Sequence, residues 1–214
     1  LQSGVWVVPG GLLSIGLLNS LGAVGLAVWI AAGSFEQERR GQTLTLLMMT
    51  SMNSWRIVMG KTVALAGPSL PFLLIGGFLI LVGQPYLEVW KGASAEYEWG
   101  LLRGFWGALW WGPVWFVFTQ SAMILGLRMK RKGVVYSASI ALVGLCIGVP
   151  AFMAWIFKEV WLVAVPARLI SAGLMPWATV WEQVLSIGFW SLVALILHIW
   201  LVSNLRRWGG HVDG

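Results

Sequence analysis

Residues 12–32 read LLSIGLLNSLGAVGLAVWIAA, and at residues 34–61 they give way to SFEQERRGQTLTLLMMTSMNSWRIVMGK, a charged and amphipathic island with another long apolar run behind it. The first stretch carries no ionisable side chain and is long enough to cross a hydrocarbon core roughly 30 Å thick as an α-helix. Outward from it, runs of the same kind recur at about 62–83, 105–127, 134–157 and 184–203. They are apolar on every face, whereas a strand of a transmembrane barrel alternates apolar and polar residues over about ten positions. The fold class expected is all-α: a polytopic transmembrane helical bundle of five spans, forming one domain over residues 1–214.

Composition leads to the same class. Of the residues, 58% are hydrophobic and 10% charged, with a mean hydropathy of +0.81. A soluble domain has about 25% charged residues, so an ordinary soluble globular fold is excluded. Residues 1–35 hold no ionisable group, which is more than one span needs, and Pro9-Gly10-Gly11 is expected to break the chain just ahead of the first helix. No starting Met, basic leader or cleavage site precedes that helix. The expectation is the C-terminal part of a longer protein with one earlier helix, six spans in all.

The cations set the orientation, because short cytoplasmic loops hold an excess of Lys and Arg. One side would hold Arg39, Arg40, Arg56, Lys61, Arg128, Lys130, Arg131, Lys132, Arg206 and Arg207, ten of the fourteen. The other would keep Lys91, Arg103, Lys158 and Arg168, together with Glu88, Glu96, Glu98, Glu159 and Glu182. The island and the C-terminus are thus expected in the cytoplasm. The net charge of +6 then belongs to a surface near anionic lipid, and membrane lipid accounts for it without any nucleic acid.

Residues 158–183, KEVWLVAVPARLISAGLMPWATVWEQ, are too interrupted by Pro166, Gly173 and Pro176 for a regular span and too apolar for a free loop. A re-entrant or interfacial helical hairpin on the extracytoplasmic side is expected there. Of the sixteen Trp, those near span ends (Trp99, Trp106, Trp155, Trp161, Trp177, Trp200 and Trp208) suit an interfacial belt, while Trp110, Trp111 and Trp115 lie deeper and stay open. Cys146 lies in the middle of the fourth span, where neither a disulfide nor a metal set can be built around it. No phosphate-binding loop, metal set or nucleophile–base pair is visible, so neither catalytic residues nor a cofactor is expected in this chain. His198 is expected to pack against another helix, with a role on a pathway as the other reading. Gln120 and the prolines Pro68, Pro71, Pro113 and Pro150 are the remaining irregularities within the spans, and the prolines read as bends.

The island divides into parts. Glu36 and Arg40 have the i, i+4 order that favours a helical ion pair, so the first helix is expected to extend past the membrane. Gly41 permits a turn, and Leu44, Leu47 and Met48 fall on one face of a short helix lying along the surface. Ser51, Asn53 and Ser54 offer a break and an N-cap before residues 55–61 lead into the second span. Such an elbow, residues 34–61, suits either a plain lipid-facing connector or a coupling helix seated in a groove of a cytoplasmic subunit.

The run Glu36-x-Glu38-Arg39-Arg40-Gly41-x-Thr43-Leu44-x-Leu46-Leu47-x-x-Thr50, with Ile57-Val58-x-Gly60-Lys61 after it, resembles the signature of the ABC type 2 transporter permeases. Here Gln42 separates Gly41 from Thr43, and Ser51 stands where the family has Pro. The resemblance implies that Glu36, Glu38, Arg39, Arg40, Gly41, Thr43, Leu44, Leu47 and Lys61 form the interface with an ABC ATP-binding subunit. It also implies a second permease copy or paralogue as partner, ATP and Mg held by the partner subunit, and residence in a bacterial cytoplasmic (inner) membrane. The function expected on that basis is the membrane-spanning permease of an ATP-driven exporter. The alternative is a partner-free polytopic protein, such as a secondary transporter or an assembly scaffold. A secondary carrier needs polar groups at mid-membrane, and Gln120 and His198 are nearly all that this chain offers.

Overall fold

A computed structural model describes residues 7–40, 52–90, 97–129, 132–156, 161–175 and 178–209. Among the described residues every element is helical, and five helices are long and apolar enough to cross a membrane. In chain order these are α1 (Val7–Arg40), α2 (Ser54–Trp90), α3 (Tyr97–Arg128), a broken fourth span, and α7 (Val180–Gly209). The fourth span comprises α4 (Lys132–Val143), a π turn (Gly144–Gly148) and α5 (Val149–Ile156). Between it and α7 lie α6 (Trp161–Ser171) and a 3₁₀ turn (Ala172–Leu174).

Two boundaries differ from expectation. α1 begins at Val7, so Pro9 lies inside its first turn and Pro9-Gly10-Gly11 does not break the helix. The first amides of a helix have no intrahelical partner, and a proline there forfeits nothing. α2 has 37 residues, about 55 Å of helix, far more than the expected span and far more than the hydrocarbon core is thick.

Two of the prolines are accommodated in identifiable ways. Pro85 cannot donate to the carbonyl of Leu81, and Gly104 of α3 brings its backbone against that same oxygen. Ahead of Pro150 the helix widens, and the Val149 amide donates to the Gly144 carbonyl five residues back. A π turn beside a missing donor is how a helix continues past proline without a break.

α3 is the centre of the bundle, packed against α1, α2, α4 and α7. It buries Trp110, Trp111, Phe118 and Met123 almost completely, which places Trp110 and Trp111 in the core. Lipid offers no hydrophobic gain for such contacts, so close packing and hydrogen bonds must hold the helices together. Gly16 and Ser20 of α1 meet Gly76 of α2 nearly backbone to backbone, and Gly126 of α3 approaches the carbonyl of Ala32. Asn19 donates from Nδ2 to the Phe72 carbonyl at 2.7 Å, Gln120 from Nε2 to Thr62 Oγ1 at 3.0 Å, and Trp115 from Nε1 to Ser69 Oγ at 3.0 Å.

These contacts sort the helix ends into two sets. One holds the C-terminal ends of α1, α3 and α7 with the N-terminal ends of α2 and α4: Glu38 meets Lys61, Trp29 meets Tyr136 and Arg128 meets Trp200. The opposite end holds α6 and the start of α7. There Trp110 donates to Ser186 Oγ at 2.7 Å and Trp190 to the Ile170 carbonyl at 2.9 Å. Thr179 and Glu182 cap α7 reciprocally: the Thr179 amide donates to Glu182 Oε2 at 2.7 Å and the Glu182 amide to Thr179 Oγ1 at 3.3 Å.

Candidate functional site

The end of α1 and the start of α2 form the site, and local rules put both there. Asn53 caps α2: its Oδ1 accepts from the Trp55 amide at 3.3 Å and its carbonyl from the Arg56 amide at 2.9 Å. The first turns then bury Ile57, Val58 and Thr62 inward and bring Lys61 to the face that meets α1. α1 presents small residues to the bundle, with Ala27, Ala31 and Ala32 buried, so it can run close beside its neighbours as far as Glu38.

Lys61 Nζ lies 2.6 Å from Glu38 Oε1, with both side chains mostly shielded. Beneath the pair is a cleft of about 460 Å³, walled by Ile30, Ser34 and Glu38 on α1 and by Gly60, Lys61 and Ala64 on α2. The cleft is open at Gly60, where an added methyl group would touch nothing within 4 Å.

Two contacts carry the site inward. Directly after Lys61 in the chain, Thr62 accepts from Gln120 of α3 and donates to the Val58 carbonyl at 2.9 Å. On the first turn of α2, the Trp55 ring stands edge-on to His198 of α7, 4.3 Å between centroids, and Phe116 of α3 contacts the same imidazole at 5.7 Å. His198 is 3% exposed, and neither ring nitrogen has a hydrogen-bond partner among the described residues. The start of α2 is thus gripped by α1 through an ion pair, by α3 through a hydrogen bond and by α7 through an edge-on ring contact.

Of the residues that the sequence nominates, the structure brings Glu38 and Lys61 together. Glu36, Arg39 and Arg40 lie on the last turns of α1, with side chains outside the described set. Gly41, Thr43, Leu44 and Leu47, and with them the expected surface helix, lie outside the described residues. Sequence reasoning missed the Glu38–Lys61 pair, the Thr62–Gln120 bond and the Trp55–His198 contact. Each joins residues far apart in the chain, and only the charge on both sides of the island hinted at the first.

Among the described residues no group of three or more His, Cys, Asp or Glu could hold a metal ion. At the opposite end a small cavity of about 20 Å³ lies between Arg103, Gln84 and Gln183, closed over by Gly173 and Met175. Arg168 and Glu182 approach to 4.0 Å nearby. In comparison with known proteins, the chain matches no family model, no curated protein and no solved structure.

Proposed function

We propose that this chain is the membrane-spanning permease subunit of an ATP-driven ABC exporter, with residues 34–61 as the element through which a separate ATP-binding subunit moves the spans. The reading rests on the motif of the island and on one observation above others. Glu38 and Lys61, near the two ends of that motif, meet in an ion pair. A coupling element has to move as a rigid body, and tying its two flanking helices at their bases makes a push on the segment between them a push on both. Through Thr62 and Trp55 the same push reaches α3 and α7.

On this reading the basic end faces the cytoplasm of a bacterial cell and α6 faces away from it, with the 3₁₀ turn as the return of the hairpin. Two permeases stand side by side above two ATP-binding subunits, which carry the ATP and Mg. Leu44 and Leu47 belong to the interface with that subunit, together with Arg39 and Arg40.

The test is co-purification of the full-length protein with the ATP-binding subunit encoded beside it, for wild type, Leu47→Asp and Glu38→Lys. The expected result is that an ATPase co-purifies with wild type, is released by Leu47→Asp, and stays bound but uncoupled with Glu38→Lys. If no ATPase binds and both variants change only membrane insertion, the island is a plain connector and the protein belongs with partner-free membrane proteins.

A further inference from the structure

α4 and α7 both pack against α3, and between them lies a cleft of about 600 Å³ that opens to the lipid side of the bundle. Its walls are Leu125, Ala138, Leu142, Ile196 and Trp200, with the Ser121 hydroxyl as a minor polar feature. At the basic end, the exposed Arg128 side chain lies over the Trp200 ring with its guanidinium carbon 5.1 Å from the ring centroid. A long apolar slot with a cation at its mouth is complementary to one kind of membrane component.

We propose that this cleft takes an acyl chain of an anionic phospholipid whose phosphate is held at Arg128. Charge argues for an anionic headgroup over a zwitterionic one. Residues 99–158 contain no acidic residue, yet Arg128, Lys130, Arg131 and Lys132 fall together in the sequence where α3 ends and α4 begins. α7 ends at the same face with Arg206 and Arg207 in its last turns. Basic pockets between spans collect anionic headgroups, and an arginine stacked on an indole has its planar face supported while its edge suits a phosphate. A partner helix would need a row of polar or small residues to meet, and this cleft offers Ser121 and Ala138 among larger apolar side chains; an acyl chain needs only apolar wall. The site does not depend on the exporter reading.

The test is native mass spectrometry of the full chain in mild detergent, titrated with dioleoyl-phosphatidylglycerol or dioleoyl-phosphatidylcholine. Wild type is expected to retain the phosphatidylglycerol about fivefold better, the preference that one cation near a headgroup provides. Arg128→Gln should abolish the preference, Arg128→Lys should keep it, and Ala138→Trp, which fills the slot, should remove retention of both lipids. Elution position and a cooperative thermal transition check folding, and if Arg128→Gln fails that check, the other two variants decide. Equal retention of the two lipids by wild type, or undiminished retention by Ala138→Trp, overturns the proposal. So does Ala138→Trp turning a dimer into a monomer without changing lipid retention, which would make the cleft a contact between copies.

Discussion

Gly173 lies against the indole of Trp110 so closely that a methyl group on Gly173 would overlap the ring carbons Cγ, Cδ2 and Cε3. The 3₁₀ turn between α6 and α7 is therefore seated directly on the central helix, and the indole N–H on the same ring is held by Ser186. Gly173→Ala should destabilise by about 1–3 kcal/mol, since the buried ring has no room to withdraw. Gly188→Ala on α7 is the control: its added methyl meets nothing, so the change should be neutral or slightly stabilising. Thermal unfolding in one detergent compares the two, and equal midpoints would mean that the turn is not seated as described.

The Glu38–Lys61 pair predicts a charge-reversal result. Glu38→Lys and Lys61→Glu should each lower stability by about 1 kcal/mol, the upper range for pairs with some solvent access, and the double reversal should recover most of it. Additive losses in the double variant would show that the two groups do not sense each other.

How much of this was open to a sequence reader follows from what lipid demands of a chain. Backbone polar groups have no water to bond with, so spans must be helices, and hydropathy alone locates five of them. The Asn53 cap was also visible in residues 51–54. Which helix touches which was not, because every face of every span is apolar and no stripe marks the inner side. Contacts are chosen instead by small residues and single hydrogen bonds. Gly76, Ser20 and Thr62 look like background in a chain with 27 glycines until a partner is seen opposite them. That Trp110 and Trp111, legibly deep in their span, face the core and not lipid was hidden for the same reason. The Thr179-x-x-Glu182 capping box is legible in the sequence, but it follows Pro166, Gly173 and Pro176, which mark the segment as broken.

That cap gives a further prediction. Thr179→Ala removes the hydroxyl that accepts from the Glu182 amide and should cost about 1 kcal/mol, visible as a lower unfolding midpoint. Thr179→Ser keeps the oxygen and should stay within a few tenths of a kcal/mol of wild type. A Ser variant as unstable as the Ala variant would mean that the methyl contact, not the cap, matters there.

The Gln120–Thr62 bond should be worth less than its burial suggests. Interhelical hydrogen bonds in membranes average about 0.6 kcal/mol, because the separated helices find other partners. Gln120 Oε1 has no hydrogen-bond partner among the described residues, so Gln120→Leu removes a buried acceptor along with the bond. A double-mutant cycle with Thr62→Val should return a coupling of about half to one kcal/mol. A coupling near zero would make the contact incidental and remove one of the links between α2 and α3.

His198 separates stability from function most cleanly. It is enclosed by Trp55 and Phe116, and its two nitrogens lack partners among the described residues, so the fold gains from its ring and loses by its polarity. Phe is similar in shape and can keep edge-to-face contact with Trp55, without a polar group to desolvate. His198→Phe should therefore leave the unfolding midpoint unchanged or raise it, whereas His198→Ala should lower it, at a cost in stability of about 2–4 kcal/mol through the lost packing. Under the proposed exporter function, an imidazole that only packs predicts that His198→Phe also leaves stimulation of the partner's ATPase at its wild-type level. If that stimulation falls while stability holds, the nitrogens meet a partner during the working cycle. A fall in the midpoint with Phe would instead place that partner in the resting protein, beyond the described residues.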